Sequence, residues 1–196
     1  MRITGGAWRS RVLQVPQDQT ITRPTMDQTR LAVFNILNSA DWALQENGQS
    51  LVMNGTILDV FAGTGSYGFE ALSRGAIFAT FMEKDFKAVQ AMQKTAETLK
   101  CTSQTKIMRT DALKTISNPQ APVTICFIDP PYGDETWPDV IKHLKAQGWI
   151  DANTLIVLEA NSKMSREALA LAETHLILHD NRRYGHALVI FGNLSI

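Results

Sequence analysis

Long apolar runs, cysteine and net charge are all scarce in this chain of 196 residues. Its longest apolar stretches, TLIVLEA (154–160) and ALVIF (187–191), fall well short of the ~20 residues a membrane-spanning helix needs. The opening segment, MRITGGAWRSRVLQVP, lacks the apolar core of a secretory signal. Cys101 and Cys126 have no metal-ligand spacing and are expected to stay reduced. His175 and His179 stand four apart in a strand-like run with no third ligand type nearby, and read as structural. These absences point to a cytoplasmic protein with no membrane contact and no metal. A net charge of +0 argues against a strongly basic nucleic-acid binder.

What is present is uneven. Residues 1–30 carry Arg2, Arg9, Arg11, Arg23 and Arg30 against Asp18 and Asp27, a local balance of +3, so the remainder sums to −3. That is the pattern of a basic arm on a neutral body. Hydrophobic content of 44% and charged content of 19% suit one globular domain with a substantial core and a small appendage. We divide the chain into an extension, residues 1–50, and a main domain, residues 51–196. Nothing in the sequence demands more than a monomer.

From Thr56 onward, strand-like runs alternate with helical patterns. Strands are expected at TILDVF, AIFATFME, TKIMRT, VTICFID, TLIVLEA, HLILHD and HALVIFG. Helices are expected at SYGFEALSRG, KDFKAVQAMQKTAETLK, a short DALKTI, WPDVIKHLKAQG and SREALALAE. Such alternation implies an α/β fold of Rossmann-like type with a mostly parallel sheet. The last two strands are joined by the short turn NRRYG, so they must form an antiparallel hairpin. In the first 55 residues, RITGGAW and RVLQVP suit a hairpin around Gly5-Gly6. MDQTRLAVFNILNSA suits an amphipathic helix that packs Leu31, Phe34 and Leu37 on the main domain.

LDVFAGTGSYGFEALSRGA places Gly63, Gly65 and Gly68 in a G-x-G-x-x-G between a strand and a helix. Glycines there allow a tight turn and close approach of a nucleotide-like cofactor. Glu83 follows at the end of the next strand, where an acid accepts hydrogen bonds from a ribose diol. Asp59, Asp111 and Asp129 close neighbouring strands. Four acids around one crevice suit a net-cationic ligand such as S-adenosylmethionine (SAM) better than a dianionic dinucleotide. Asp111 also suits a helix cap.

CFIDPPYGDETW runs from a strand onto an acid, two prolines and a tyrosine. The prolines lack ladder N–H groups and fix φ, so Asp129-Pro130-Pro131-Tyr132 forms a stiff extended tip.

In this order the motifs resemble the SAM-dependent amino-methyltransferases, and more closely the RsmD family, which methylates a guanine N2 amine in small-subunit ribosomal RNA. TRPTMDQTRLAVFNIL is similar to that family's arm and helix, and LDVFAGTGSYGFEALSRGA to its SAM loop. FMEKD resembles its ribose acid, TDAL its adenine segment, FIDPPY its catalytic tip and YGHALVIF its closing strand. The resemblance implies SAM contacts at Asp59, Phe61, Gly63, Gly65, Glu83, Lys84, Asp111 and Ala112. It implies catalysis at Asp129, Pro130, Pro131 and Tyr132. The chain departs from the family at Gln28 and Leu31, where Arg and Glu are usual, and at Trp8-Arg9-Ser10-Arg11. These departures bear on the target nucleotide and leave the chemistry alone.

A conjugated exocyclic amine is a poor nucleophile because its lone pair is delocalised into the ring. Asp129 and the Pro130 carbonyl can accept its two N–H groups and favour a pyramidal nitrogen, a preorganised arrangement. Tyr132 would stack on a base taken out of its helix. Arg9, Arg11, Arg23 and Arg30 suit phosphate contacts with ribosomal RNA or a small-subunit particle, with Arg23 or Arg30 open to the SAM carboxylate instead. Arg182 and Arg183 would add a basic rim. The competing readings are amine methylation of another RNA or of DNA adenine or cytosine, methylation of a protein glutamine amide (whose tip starts with Asn where this chain has Asp129), a non-catalytic RNA-binding assembly factor and a nicotinamide oxidoreductase.

Overall fold

The chain folds around one sheet, seen in a computed structural model that describes residues 1–16, 24–118, 120–131, 136–161 and 165–195. Its strands are β1 (Thr56–Val60), β2 (Phe78–Glu83), β3 (Thr105–Arg109), β4 (Ile125–Ile128), β5 (Leu155–Asn161), β6 (Leu176–Tyr184) and β7 (Ala187–Leu194). The helices are α1 (Pro24–Leu37), α2 (Ser66–Ser73), α3 (Phe86–Thr98), α4 (Trp137–Ala146) and α5 (Ser165–Glu173). Among the described residues the sheet has seven strands in the order β3-β2-β1-β4-β5-β7-β6. The first five are parallel; β7 is antiparallel to both β5 and β6. The order steps outward from β1 in both directions, which opens a crevice at the carboxyl ends of β1 and β4.

Alternation along the strands sends apolar side chains to both faces, as a sheet covered on both sides requires. Ile57, Phe81, Phe127, Val157 and Phe191 meet Phe34 and Leu37 of α1, Phe69 of α2 and Val89 of α3. Leu58, Val60, Cys126, Ile156 and Ile190 meet Val140, Ile141 and Leu144 of α4 and Ala172 of α5. Helix starts follow local chemistry. Asp85 caps α3 by accepting from the Ala88 amide at 2.8 Å, and Pro138 sits in the first turn of α4, where no amide donor is needed.

The N-terminal residues fold back as expected, though with a single bridge, Arg2 to Val12, in place of paired strands. Glu70 of α2, fully buried, holds them down. It accepts from the Thr4 amide and hydroxyl at 2.7 and 2.8 Å, from Arg30 Nε at 3.2 Å and from Arg74 Nε at 2.8 Å. Ile3, Leu13, Phe34 and Leu37 join the main core, whereas Leu31 lies on the solvent side of α1 at 39% exposure. A second correction concerns the closing hairpin. Asn181 to Tyr184 continue β6, paired opposite Ile190 to Ala187, and the turn is Gly185-His186. Among the described residues no helix is long and apolar enough to cross a membrane, and no cluster of three or more His, Cys, Asp or Glu could hold a metal.

Candidate active site

After β1 the backbone turns through left-handed conformations at Phe61 (φ 58), Gly63 (φ 54) and Gly65 (φ 74), then enters α2. A side chain at a left-handed position costs roughly 1–2 kcal/mol, so Phe61 stores strain at this turn. The three glycines divide the labour. A Cβ on Gly65 would press on the Phe69 and Phe81 rings, and one on Gly68 would lie 2.3 Å from Phe81, so these two serve close packing of α2 on β2. A Cβ on Gly63 would find only the Phe61 carbonyl, at 3.9 Å, so Gly63 presents bare backbone to open space. Glu83, ending β2, accepts from the Gly63 amide at 2.8 Å and from the Asp85 amide at 2.7 Å, which fixes its carboxylate beside the loop. Asp59 accepts from the Gly68 amide at 2.9 Å and ties β1 to α2.

Five acids close neighbouring strands: Asp111 after β3, Glu83, Asp59, Asp129 after β4, and Glu159 near the end of β5. Burial pushes Asp59 up from 3.8 to about 7, with the Glu83 charge adding to it and the Gly68 amide and Arg30 charge opposing. Desolvation also raises Asp129 well above the ordinary carboxylate range, helped by the charges of Glu159 and Asp59. Glu159 is raised by burial, against a hydrogen bond from the Tyr67 hydroxyl at 2.9 Å. Raised carboxylates that crowd one crevice mark it as a site for a cation or a row of hydrogen-bond donors.

Asp129 is half-buried where β4 ends, its amide donating to the Val60 carbonyl at 3.4 Å; Pro130 is half-buried and Pro131 exposed. Tyr132 and Arg23 lie outside the described residues.

With this geometry in view, comparison with known proteins is specific. The model of the family described as Conserved hypothetical protein 95 matches residues 1–193. The ribosomal RNA small subunit methyltransferase D of Escherichia coli (strain K12) is 34% identical over 160 residues, spanning 82% of this chain and 74% of that protein. Its counterpart in Haemophilus influenzae is 35% identical over 162 residues, spanning 81% and 78%. The solved Escherichia coli protein yhhF superposes with a TM-score of 0.80 at 30% identity, covering 100% of this chain and 98% of that one. This chain belongs to the ribosomal RNA small subunit methyltransferase D family.

As a member of that family it is a methyltransferase, and the fold brings its sequence-derived site residues to one crevice with exceptions. Asp59, Phe61, Gly63, Gly65 and Glu83 gather at the loop. Lys84 is exposed beside Glu83; Asp111 caps the 3-10 turn Ala112–Lys114 by accepting from the Leu113 amide at 3.0 Å, and Ala112 is buried. Arg30 is corrected. It is 1% exposed, bonded to Glu70, to Asp27 at 3.0 Å and to the Arg2 carbonyl, so it cannot contact a phosphate at the surface. Arg9 and Arg11 are exposed in the N-terminal hairpin. Arg182 and Arg183 are exposed on β6, and Arg182 pairs with Asp180 at 3.0 Å. Sequence reasoning missed Tyr67 and Glu159. The signal for Glu159 was there: TLIVLEA ends its apolar run on an acid just as VTICFID does.

Proposed function

We propose that this methyltransferase transfers the methyl group of SAM to the exocyclic N2 amine of a guanine in small-subunit ribosomal RNA. The observation that carries the reading is Asp129. It follows β4 in a half-buried position, its amide bonded to Val60 at the end of the strand that leads into the glycine loop, and two prolines follow it at once. The relatives named as ribosomal RNA small subunit methyltransferases support the substrate class.

The crevice fits SAM on its own features. Gly63 leaves room for a ligand against the backbone, Glu83 is already aimed by two amides, and the surrounding acids favour a cation. Asp59, Phe61, Gly63, Gly65, Glu83, Lys84, Asp111 and Ala112 would hold it. When bound, SAM supplies a methyl group activated by the positive sulfonium.

The chain's own residues would do the rest. The Asp129 carboxylate and Pro130 carbonyl accept the two N–H groups of the target amine and favour a pyramidal nitrogen whose lone pair is withdrawn from conjugation with the ring, with no reorganisation at the moment of reaction. The two prolines keep that pair of acceptors stiff. Tyr132 stacks on the extruded base. Residues 1–50 act as the RNA-facing extension, with Arg9, Arg11, Arg23, Arg182 and Arg183 on phosphates. A ribosomal RNA substrate supports a cytoplasmic protein, and we propose that it acts as a monomer.

The test supplies methyl-labelled SAM with unmodified small-subunit particles, naked ribosomal RNA or duplex DNA, followed by digestion to nucleosides. Label in N2-methylguanosine is expected. Label in an adenine or cytosine derivative would move the enzyme to another target, and no label despite SAM binding would refute the reading.

A further inference from the structure

We propose that Glu159 reads the target base: its carboxylate accepts the N1–H of guanine beside the amine held by Asp129, with Tyr67 fixing it in place. The inference deepens the guanine reading above and rests on it.

Register sets the two acids side by side. In the parallel pair of β4 and β5, Phe127 lies opposite Val157 and Ile128 opposite Leu158, so the next step faces Asp129 with Glu159. Phe127 and Val157 point into the core shared with α1 and α2, and alternation sends Asp129 and Glu159 to that same side. Adjacent strands are about 4.8 Å apart, so the two carboxylates stand one strand spacing apart at the crevice.

Tyr67 is 6% exposed and cannot swing, since its ring stacks on Phe127 at 4.8 Å and 18° and on Phe34 at 6.4 Å. Its hydroxyl donates to Glu159 Oε2 at 2.9 Å; among the described residues no donor reaches Oε1, which can accept from a ligand. Among the described residues no cation is ion-paired with Glu159. Among the described residues, the titratable groups that act on it are Tyr67 of α2 and Asp129 after β4; Asp59 of β1 acts on Asp129, and Arg30 of α1 on Tyr67. Arg30 is occupied by Glu70 and Asp27. On β7 the residue opposite Glu159 is Val189, which offers nothing polar in its side chain. A half-buried carboxylate held by one neutral donor is an expensive arrangement unless a ligand completes it.

Guanine completes it. Its Watson–Crick edge offers donors in a row, N1–H and the N2 amine, to two acceptors in a row. Adenine presents an unprotonated N1, a lone pair against a carboxylate, and is repelled. Glu159 thereby becomes a specificity residue distinct from the amine-holding role of Asp129.

The test is ligand-observed saturation-transfer NMR on the intact protein with guanosine, 1-methylguanosine and adenosine as probes, for wild type, Glu159→Gln and Tyr67→Phe, with melting curves as the check on folding. Wild type is expected to favour guanosine over both others by roughly tenfold or more, the value of one good pairing at a base edge. In Glu159→Gln, whose amide can turn either group outward, that preference should collapse, and adenosine should gain. Tyr67→Phe keeps the carboxylate and the ring stack but loses the hydroxyl, and should fall between. If Glu159 served only as the acceptor for Tyr67, the isosteric Gln would leave selectivity untouched. An unchanged ratio of guanosine to 1-methylguanosine in either folded variant would overturn the proposal. A wild type with no guanosine preference would instead sink the guanine reading, and this inference with it.

Discussion

At the scale of single residues, two of the five acids at the crevice lead to different predictions. In the proposed mechanism Asp129 holds the target amine and not the cofactor, so Asp129→Asn should leave SAM binding within a few-fold of wild type. Turnover should fall by at least the roughly 100- to 1,000-fold seen when one preorganised group is lost. Titration calorimetry and single-turnover assays separate the two, and a variant with normal turnover would remove Asp129 from the mechanism. Asp59, proposed above as a SAM contact, also ties β1 to α2, and its titration costs stability. In the unfolded chain it ionises near 3.8, and in the fold near about 7. The folded state therefore binds the extra proton between those values, and stability falls as pH rises through that window, by about 4 kcal/mol in all. Asp59→Asn keeps an acceptor for the Gly68 amide and has no proton to lose. Without SAM, it should melt above wild type at pH 8 and lose that advantage near pH 4. Asp59, Glu83 and Asp129 were legible in the sequence because each ends a strand beside a local motif. Glu159 carried the same local sign, an apolar run ending on an acid, but its place beside Asp129 depends on the β4–β5 register, and Arg30 was misread because its partner Glu70 lies 40 residues away.

Among the elements, the N-terminal hairpin is held by Glu70 at one point and by Ser73 and Thr95 at others, and Glu70 is the charged one of these anchors. Thr4, Arg30 and Arg74 converge on Glu70 from the hairpin, α1 and α2, and the Arg74 guanidinium lies 5.0 Å over the Phe34 ring. Removing the carboxylate would take the shared buried counter-charge from two guanidinium groups, leaving Arg30 inside the core with Asp27 and the Arg2 carbonyl and Arg74 with Thr4. Glu70→Ala should therefore cost about 3–5 kcal/mol, the usual penalty for breaking a buried pair. Urea melts would measure the loss, and limited proteolysis should now cut within residues 1–16 first. A loss below 1 kcal/mol would mean that apolar burial of Ile3 and Leu13 alone holds the hairpin. Helices and parallel strands were readable from Thr56 onward because periodicity is local. The closing turn was misplaced because β6 is an edge strand. Asn181, Arg182 and Arg183 are exposed there, a β-bulge interrupts the register between Leu178 and Asp180, and such a strand carries the polar composition of a turn.

For the molecule as a whole, the question is how a chain of net charge zero holds a polyanion. The basic residues are displaced from the acids. The hairpin lies along α2, with Met1 near Thr64 at the glycine loop and Ala7 and Trp8 bonded to Ser73 at the other end. Eight helical residues span about 12 Å, so the turn carrying Arg9 stands roughly that far from the crevice. Arg9 and Arg11 can then position RNA without touching the reacting base, which is how phosphate contacts act. Arg9→Ala with Arg11→Ala should raise KM for the RNA substrate and leave kcat and SAM affinity near wild type. Losing two phosphate contacts should also flatten the dependence of log affinity on log salt by about 1.4, at roughly 0.7 per contact on single strands. Filter binding across a salt series, run beside methyl-transfer kinetics, measures both. A fall in kcat with an unchanged salt slope would mean that the hairpin acts on the crevice through Met1 and Thr64 and makes no contact with the RNA backbone.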